Sequence, residues 1–214
     1  SDTDRQRLLD IVPDANVEVV PNGVDVEFFN APAGRERAPR VIFVGTLDWY
    51  PNTAAVNRIA YEMWPLLREA DARIECDIIG GNPPPALLDL AERDDRFHVH
   101  GFVDDIHPWL ESARCYLCPI RDGGGTKLKI LDALAMSKAI IADPIACEGI
   151  AVTDGVDVLL AEAPETYVEN VLRLEEHDFR EGIERAARKL AVDRYSFRSI
   201  GRDFHALLEN LTRA

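Results

Sequence analysis

Apolar positions in this chain fall into short unbroken runs that alternate with stretches of helical spacing. Residues 41–44, Val-Ile-Phe-Val, form a run ending in Gly45, the sign of a strand buried on both faces. Pro51-Asn52-Thr53 signals a helix start, and behind it Val56, Ile59, Ala60, Met63 and Leu67 recur on one helical face. Pro65 should kink or restart that helix, because its ring and missing N–H break the hydrogen-bond ladder. Strands are predicted over 74–79, 97–100, 116–118, 139–142 and 156–160, with helices over 84–93, 105–111 and 127–136 between them. Strand–helix alternation of this kind means right-handed βαβ units, hence an α/β fold with a doubly wound, mostly parallel sheet. Residues 164–214 read as C-terminal helices: 164–176, 179–192, and a third striped by Ile200, Phe204, Leu207, Leu208 and Leu211. Residues 1–40 look different. Residues 17–20 read as a strand before a turn at Pro21-Asn22-Gly23, and 30–40 are charged and loose, as in a lead-in from something upstream. The expected organisation is one domain over 1–214, with its α/β core at 41–163.

Length and composition agree with one such domain. At 214 residues and 47% hydrophobic content, the chain can bury a sizeable core. The net charge of −14 argues against nucleic acid as a partner, since phosphate binding needs a basic face. It also argues against charge-driven docking on anionic lipid, and no apolar run approaches the roughly 18 residues that span a bilayer. No membrane contact is therefore expected. The four cysteines (76, 115, 118 and 147) are too few for a disulfide scaffold, so reduced thiols and a cytoplasmic location are the expectation. Cys115 and Cys118 form a lone C-x-x-C with no second ligand pair, which reads as two small hydrophobes in a buried strand. His98 and His100 alternate onto one strand face and could ligate a metal, but no matching carboxylate or thiol is evident in sequence, so they read as structural or rim histidines. Asp104-Asp105 reads as a helix cap. No metal and no cofactor is implied.

In an open parallel sheet, ligands bind beyond the carboxyl ends of the strands. Four predicted loops there are rich in glycine: Gly45-Thr46, Gly80-Gly81, Gly101 and Gly123-Gly124-Gly125. The last leads directly into Thr126-Lys127-Leu128-Lys129-Ile130-Leu131-Asp132. Thr126 suits an N-cap, and a helix start with glycine before it presents free N–H groups and a positive dipole end to an anion. At about 100° per residue, Lys129 and Asp132 share one face while Ile130, Leu131, Leu134 and Ala135 share the other. A cation and a carboxylate one turn apart beside an anion nest suit a nucleoside diphosphate, with phosphate on the lysine and ribose hydroxyls on the acid. The bland alternative is a surface i,i+3 ion pair between Lys129 and Asp132. Glu148-Gly149 follows a strand at the same end and is a sugar-site candidate. A Walker A pattern, G-x-G-x-x-G and a Ser-His-Asp order are all missing, which disfavours a dehydrogenase.

Taken in order, these pieces resemble the C-terminal, donor-binding half of GT-B glycosyltransferases of the family 4, or group 1, type. The resemblance rests on Val20-Pro21-Asn22-Gly23-Val24-Asp25, Val44-Gly45-Thr46-Leu47, Ile78-Ile79-Gly80-Gly81, His100-Gly101-Phe102-Val103, the run from Gly125 to Met136, Ala142-Asp143-Pro144, Glu148-Gly149 and Asp154-Gly155. It implies a retaining transferase that moves a sugar from a nucleoside diphosphate to an acceptor in polysaccharide or glycoconjugate synthesis. By that resemblance Gly45, Thr46, Gly124, Gly125, Thr126, Lys127 and Lys129 hold diphosphate, and Asp132 holds ribose. Gly80, Gly81, Phe102 and Val103 pack on the base, and Lys129 and Asp132 are the residues nearest the chemistry. The family pattern often has a glutamate where Gly124 stands, which leaves Arg121, Asp122 and Glu148 as the sugar contacts. It often has a basic pair after the first glycine loop too; here Asp48-Trp49-Tyr50-Pro51-Asn52 stands there, so phosphate charge should rest on Lys127 and Lys129. Such enzymes carry an N-terminal acceptor domain ahead of this segment, so the missing partner is that domain, and the parent enzyme would sit in the cytoplasm or peripherally at the inner membrane. Two other classes stay open: a nucleotide-binding regulatory module without chemistry, and half of a nucleotide-sugar epimerase.

Overall fold

The computed structural model describes residues 1–213, with side chains described through residue 210. Six strands form one sheet: β1 Ala38–Val44, β2 Glu75–Ile79, β3 Phe97–Gly101, β4 Ala113–Cys118, β5 Ala139–Ala142 and β6 Leu159–Leu160. Their order is β3-β2-β1-β4-β5-β6 and every pairing is parallel. The apolar runs become the central strands because these are covered on both faces; every residue of β4 and β5 is buried. Cys115 and Cys118 lie inside β4 and, with Cys76 and Cys147, are buried free thiols. Burial pushes the thiols of Cys115 and Cys118 up, to about 12 and about 11, so they behave as hydrophobes rather than ligands.

The chain winds from β1 outward to β3, returns to β4 beside β1, and winds out the other way to β6. The carboxyl ends of β1 and β4 thus flank the topological switch point, where a crevice forms. The first crossover is α2 (Tyr50–Arg58) and α3 (Trp64–Ala70), joined by one π-turn over Ile59–Met63 just ahead of Pro65. That interruption is the one expected from the proline. Next come α4 (Pro85–Arg93), α5 (His107–Ser112) and α6 (Leu128–Ala135), then α7 (Pro164–Arg173), α8 (His177–Leu190) and α9 (Phe197–Arg213). α7 packs on α3, and α8 packs on α6 and β5, so both faces of the sheet are covered. In α9, Phe204 and Leu208 are exposed; the side chain of Leu211, the last of the expected stripe, lies outside the described residues.

One expectation for residues 1–40 fails, and one element there was not expected. Residues 17–20 form no strand. Residues 2–11 form α1 (Asp2–Ile11), started by a capping box between Ser1 and Asp4. The later part of the segment is firmly held. Val24 is buried and bridges to Ser196, and the Arg188 guanidinium donates to the carbonyls of Val26 and Phe29 at 2.9 and 2.8 Å.

At the amino end of the sheet, Lys138 is fully buried and donates to the Ala113 carbonyl. Arg37 and Arg180 are close by, with Glu184 as the carboxylate among them. Burial drives the Lys138 ammonium down from 10.5 to about 7. The folded protein therefore binds fewer protons than the unfolded chain between those two values, and stability should rise as pH climbs from 7 towards 10.5. Lys138→Met is expected to flatten that rise in urea melts taken across the window; an unchanged slope would assign it to another group.

Candidate functional site

Every loop singled out for glycine leaves the carboxyl edge of the sheet, and hydrogen bonds tie three of them together. The Gly45 amide donates to Ile79 O at 2.9 Å, Gly80 to Gly101 O at 2.8 Å, and Leu47 to Gly81 O at 3.1 Å. Gly80 has no room for a side chain: a Cβ there would lie 1.8 Å from the Gly45 carbonyl oxygen. Phe102 stands above Gly81 and is 79% exposed, while Val103 is half-buried. The residues expected at the base and at one side of the diphosphate are thus neighbours at the rim.

Across the switch point lies the loop from β4 to α6. Gly123 and Gly125 take φ of +89° and +78°, which glycine adopts without strain. Among the described residues, the backbone amides of residues 124–129 have no hydrogen-bond partner. A row of unpaired N–H groups at the start of an α-helix is the arrangement that binds anions. Thr126 does not cap this helix, contrary to expectation. The capping position falls on Lys127, in extended conformation with no side-chain bond, and the Thr126 hydroxyl sits against Gly149 instead. Lys127 also departs from its expected place. Its ammonium turns back over its own loop and donates to the carbonyls of Gly123 and Gly125, the latter at 3.0 Å. It braces the nest rather than reaching out from it.

Lys129 is where the cation sits. Its ammonium lies 4.6 Å from the centre of the Phe43 ring and against the backbone of Gly45, whose hypothetical Cβ would come within 2.5 Å. It donates to Asn52 Oδ1 at 2.7 Å, and among the described residues it has no ion-pair partner. Burial lowers its pKa, with the Lys127 charge adding to the effect. The Lys129–Asp132 surface pair weighed as the bland alternative is not formed. The side-chain carboxylate of Asp132, one turn on, has no hydrogen bond or ion pair among the described residues either. Burial raises its carboxyl from 3.8 to about 6, partly opposed by His107. The α6 start therefore presents an unpaired cation and an unpaired carboxylate on adjacent turns.

The three sugar-contact candidates lie together as well. Arg121, Asp122 and Glu148 line one groove of about 520 Å³ with Gly123, Gly124, Pro144, Ile145 and Arg7. Within it Arg121 donates to Asp143 at 2.8 Å, Glu148 accepts from Arg7 at 2.8 Å, and Asp122 accepts the Gly123 amide at 2.6 Å. Arg7 comes from α1 and was not foreseen. The other two candidates resolve as structural. His98 and His100 do meet carboxylates, contrary to expectation, with His98 on Glu75 at 3.3 Å and His100 on Asp77 at 2.7 Å across the β3–β2 pair. Arg40 bridges both carboxylates, so they serve a charge network in the sheet; among the described residues the one cluster with metal-ligand spacing is His177, Asp178 and the half-buried Glu181. Asp104-Asp105 does not cap α5, contrary to expectation: the capping position falls on Ile106 with no side-chain cap bond, and Asp105 instead accepts the His107 amide at 2.9 Å in the turn before it. Asn52 and Phe43, which hold Lys129, were missed; Asn52 was read only as part of a helix start.

Comparison with known proteins agrees with this architecture. Residues 38–177 match the family model described as group 1 glycosyl transferases, well over half of the chain. The chain belongs to that family. No curated protein sequence matches it. Among solved structures, a glycosyltransferase from Rickettsia africae superposes with a TM-score of 0.78 at 14% identity, over 99% of this chain and 62% of that one. The sucrose-phosphate synthase of Thermosynechococcus elongatus gives 0.75 at 15%, over 98% and 56%. HepE of Anabaena, in complex with UDP-glucose, gives 0.72 at 14%, over 90% and 57%. These likenesses show the same fold, and the chain spans 41 to 62% of the length of the structures it resembles. No helix among the described residues is long and apolar enough to cross a membrane.

Proposed function

We propose that this chain is the donor-binding half of a retaining glycosyltransferase, which moves a sugar from a nucleoside diphosphate to an acceptor held by a second, N-terminal domain. The observation that carries the reading is the unpaired row of amides at residues 124–129 ending on Lys129, a cation without a carboxylate, at the switch point of a group 1 fold. The UDP-glucose in the Anabaena structure supports the ligand class. In the reaction, the acceptor hydroxyl oxygen bonds to the anomeric carbon on the face the diphosphate leaves. The bond from that carbon to the phosphate oxygen breaks, and the hydroxyl proton passes to the departing phosphate. Negative charge grows on the diphosphate as it leaves, so the amides and Lys129 stabilise the transition state more than the ground state. Asp132 takes the ribose hydroxyls. Gly80, Gly81, Phe102 and Val103 bound the base, and Arg121, Asp122 and Glu148 face the sugar. Gly45 and Thr46 close the diphosphate site from the β1 side. A role in polysaccharide or glycoconjugate assembly follows from the sequence resemblance.

A thermal-shift panel of UDP-, GDP- and ADP-sugars tests this, with and without EDTA. At a hundredfold excess over Kd, a specific ligand adds about 2.7 kcal/mol, or roughly 5–10 °C for a domain of this size. One nucleotide class should shift the melting temperature and EDTA should not reverse it. A flat panel at millimolar ligand would remove the donor-site reading.

A further inference from the structure

We infer that Asn52 is a positioning residue that fixes the Lys129 ammonium at the diphosphate site without neutralising it; this rests on the donor-site reading above. Asn52 lies in α2, 77 residues before Lys129 in sequence, and is 6% exposed. Both ends of its amide are committed. Nδ2 donates to the Thr46 carbonyl at 2.8 Å, and Oδ1 accepts from Lys129 Nζ at 2.7 Å. Only one orientation of the amide satisfies both, because a carbonyl cannot donate and an ammonium cannot accept. The side chain does nothing for its own helix. The capping residue of α2 is Trp49, with no side-chain cap bond, and the neighbouring Thr53 hydroxyl serves Leu47 O and Trp49 O. Asn52 thus links the first glycine loop to the phosphate lysine and to nothing else.

Its neutrality is the functional point. A half-buried lysine beside a second lysine is ordinarily matched by a carboxylate. An amide at this place accepts one of the three ammonium N–H bonds and leaves the full unit of charge for an incoming pyrophosphate. It stops the flexible four-carbon stem from swinging out to solvent, so less rotamer freedom is lost on binding. A carboxylate in the same place would bind Lys129 more tightly, cancel its charge, and set a negative group next to the phosphate.

The test is isothermal titration on the full chain, using whichever of UDP, GDP and ADP binds tightest, and its nucleoside. N52D should weaken diphosphate binding more than tenfold and nucleoside binding less than twofold. N52A should lose diphosphate affinity several-fold. In the K129M background N52A should cost almost nothing, because Asn52 acts through the lysine. Melting temperatures report whether each variant folds, and N52S replaces N52A if the latter does not. Equal losses for nucleotide and nucleoside, or an Asn52 effect that adds undiminished to that of K129M, would reduce Asn52 to a structural role. If K129M itself leaves diphosphate binding untouched, the donor-site reading falls first, and the assignment of Asn52 falls with it.

Discussion

Lys129→Met is expected to lower nucleoside diphosphate affinity about a hundredfold while changing nucleoside affinity little. Hydrogen bonds to charged groups contribute about 1.5–3 kcal/mol, and the upper part of that range is a hundredfold in Kd. The upper part applies here because the ammonium is largely desolvated and unpaired by any acid among the described residues, so little has to be given up when phosphate arrives. The strongly acidic protein would seem to repel such a ligand. Repulsion from remote surface charge is screened beyond about 8 Å at physiological salt, whereas a cation about 4 Å from a phosphate attracts with roughly 4 kcal/mol at an effective dielectric of 20. Local geometry therefore outweighs the net charge of −14. Methionine keeps an apolar side chain beside Phe43 but leaves the buried Asn52 Oδ1 without a partner, so a small fall in melting temperature should accompany the binding loss. Titration showing equal losses for nucleoside and nucleotide would place Lys129 outside the diphosphate site.

Much of this was readable from local pattern, for identifiable reasons. β5 and most of β4 are apolar runs with a proline just beyond, because they are buried on both faces, and that burial is written almost residue by residue; Arg114 in β4 is the exception. The glycine loops were readable because close backbone approach, as at Gly80, admits no other residue. What was not readable depends on partners far away in sequence. Residues 17–20 alternate like a strand, but both sheet edges end elsewhere; the segment lies instead along α9, lining a groove with Ile200, Phe204 and Leu207. α1 was invisible because it buries none of its residues and so carries no apolar stripe; only its capping box marks it. Lys127 and Lys129 look equivalent in sequence. The fold separates them, since the stem of one curls over the glycine carbonyls and that of the other runs inward to Asn52.

Asp132→Asn is expected to stabilise the unliganded protein at pH 8 while weakening nucleotide binding tenfold or more. Burial without a hydrogen-bond partner lifts this carboxyl from 3.8 to about 6 in the folded state. The folded protein then holds a proton that the unfolded chain has already released between those values, so Asp132 costs stability as pH rises through the window, and the full cost is present above pH 6. At 1.36 kcal/mol per pKa unit, and discounted for partial exposure, that cost is about 1–2 kcal/mol. Asparagine removes it. The melting temperature should rise by a few degrees at pH 8, and the difference should close as pH falls from 6 towards 4. Binding moves the other way. A carboxylate accepts both ribose hydroxyls in charge-assisted bonds, whereas an amide accepts one and presents a donor to the other. The ratio of wild-type to Asp132→Asn affinity should therefore be largest above pH 6 and shrink below it, because protonation turns the wild-type group into a neutral one as well. Calorimetric titration at pH 5.5 and 8 reads both effects. A variant that loses affinity without gaining stability would mean that Asp132 is already satisfied before ligand arrives; one that gains stability without losing affinity would mean that the ribose lies elsewhere. Both changes together are what a carboxylate held unpaired at a binding site should show, since the desolvation it endures in the empty protein is what makes its bonds to the sugar strong.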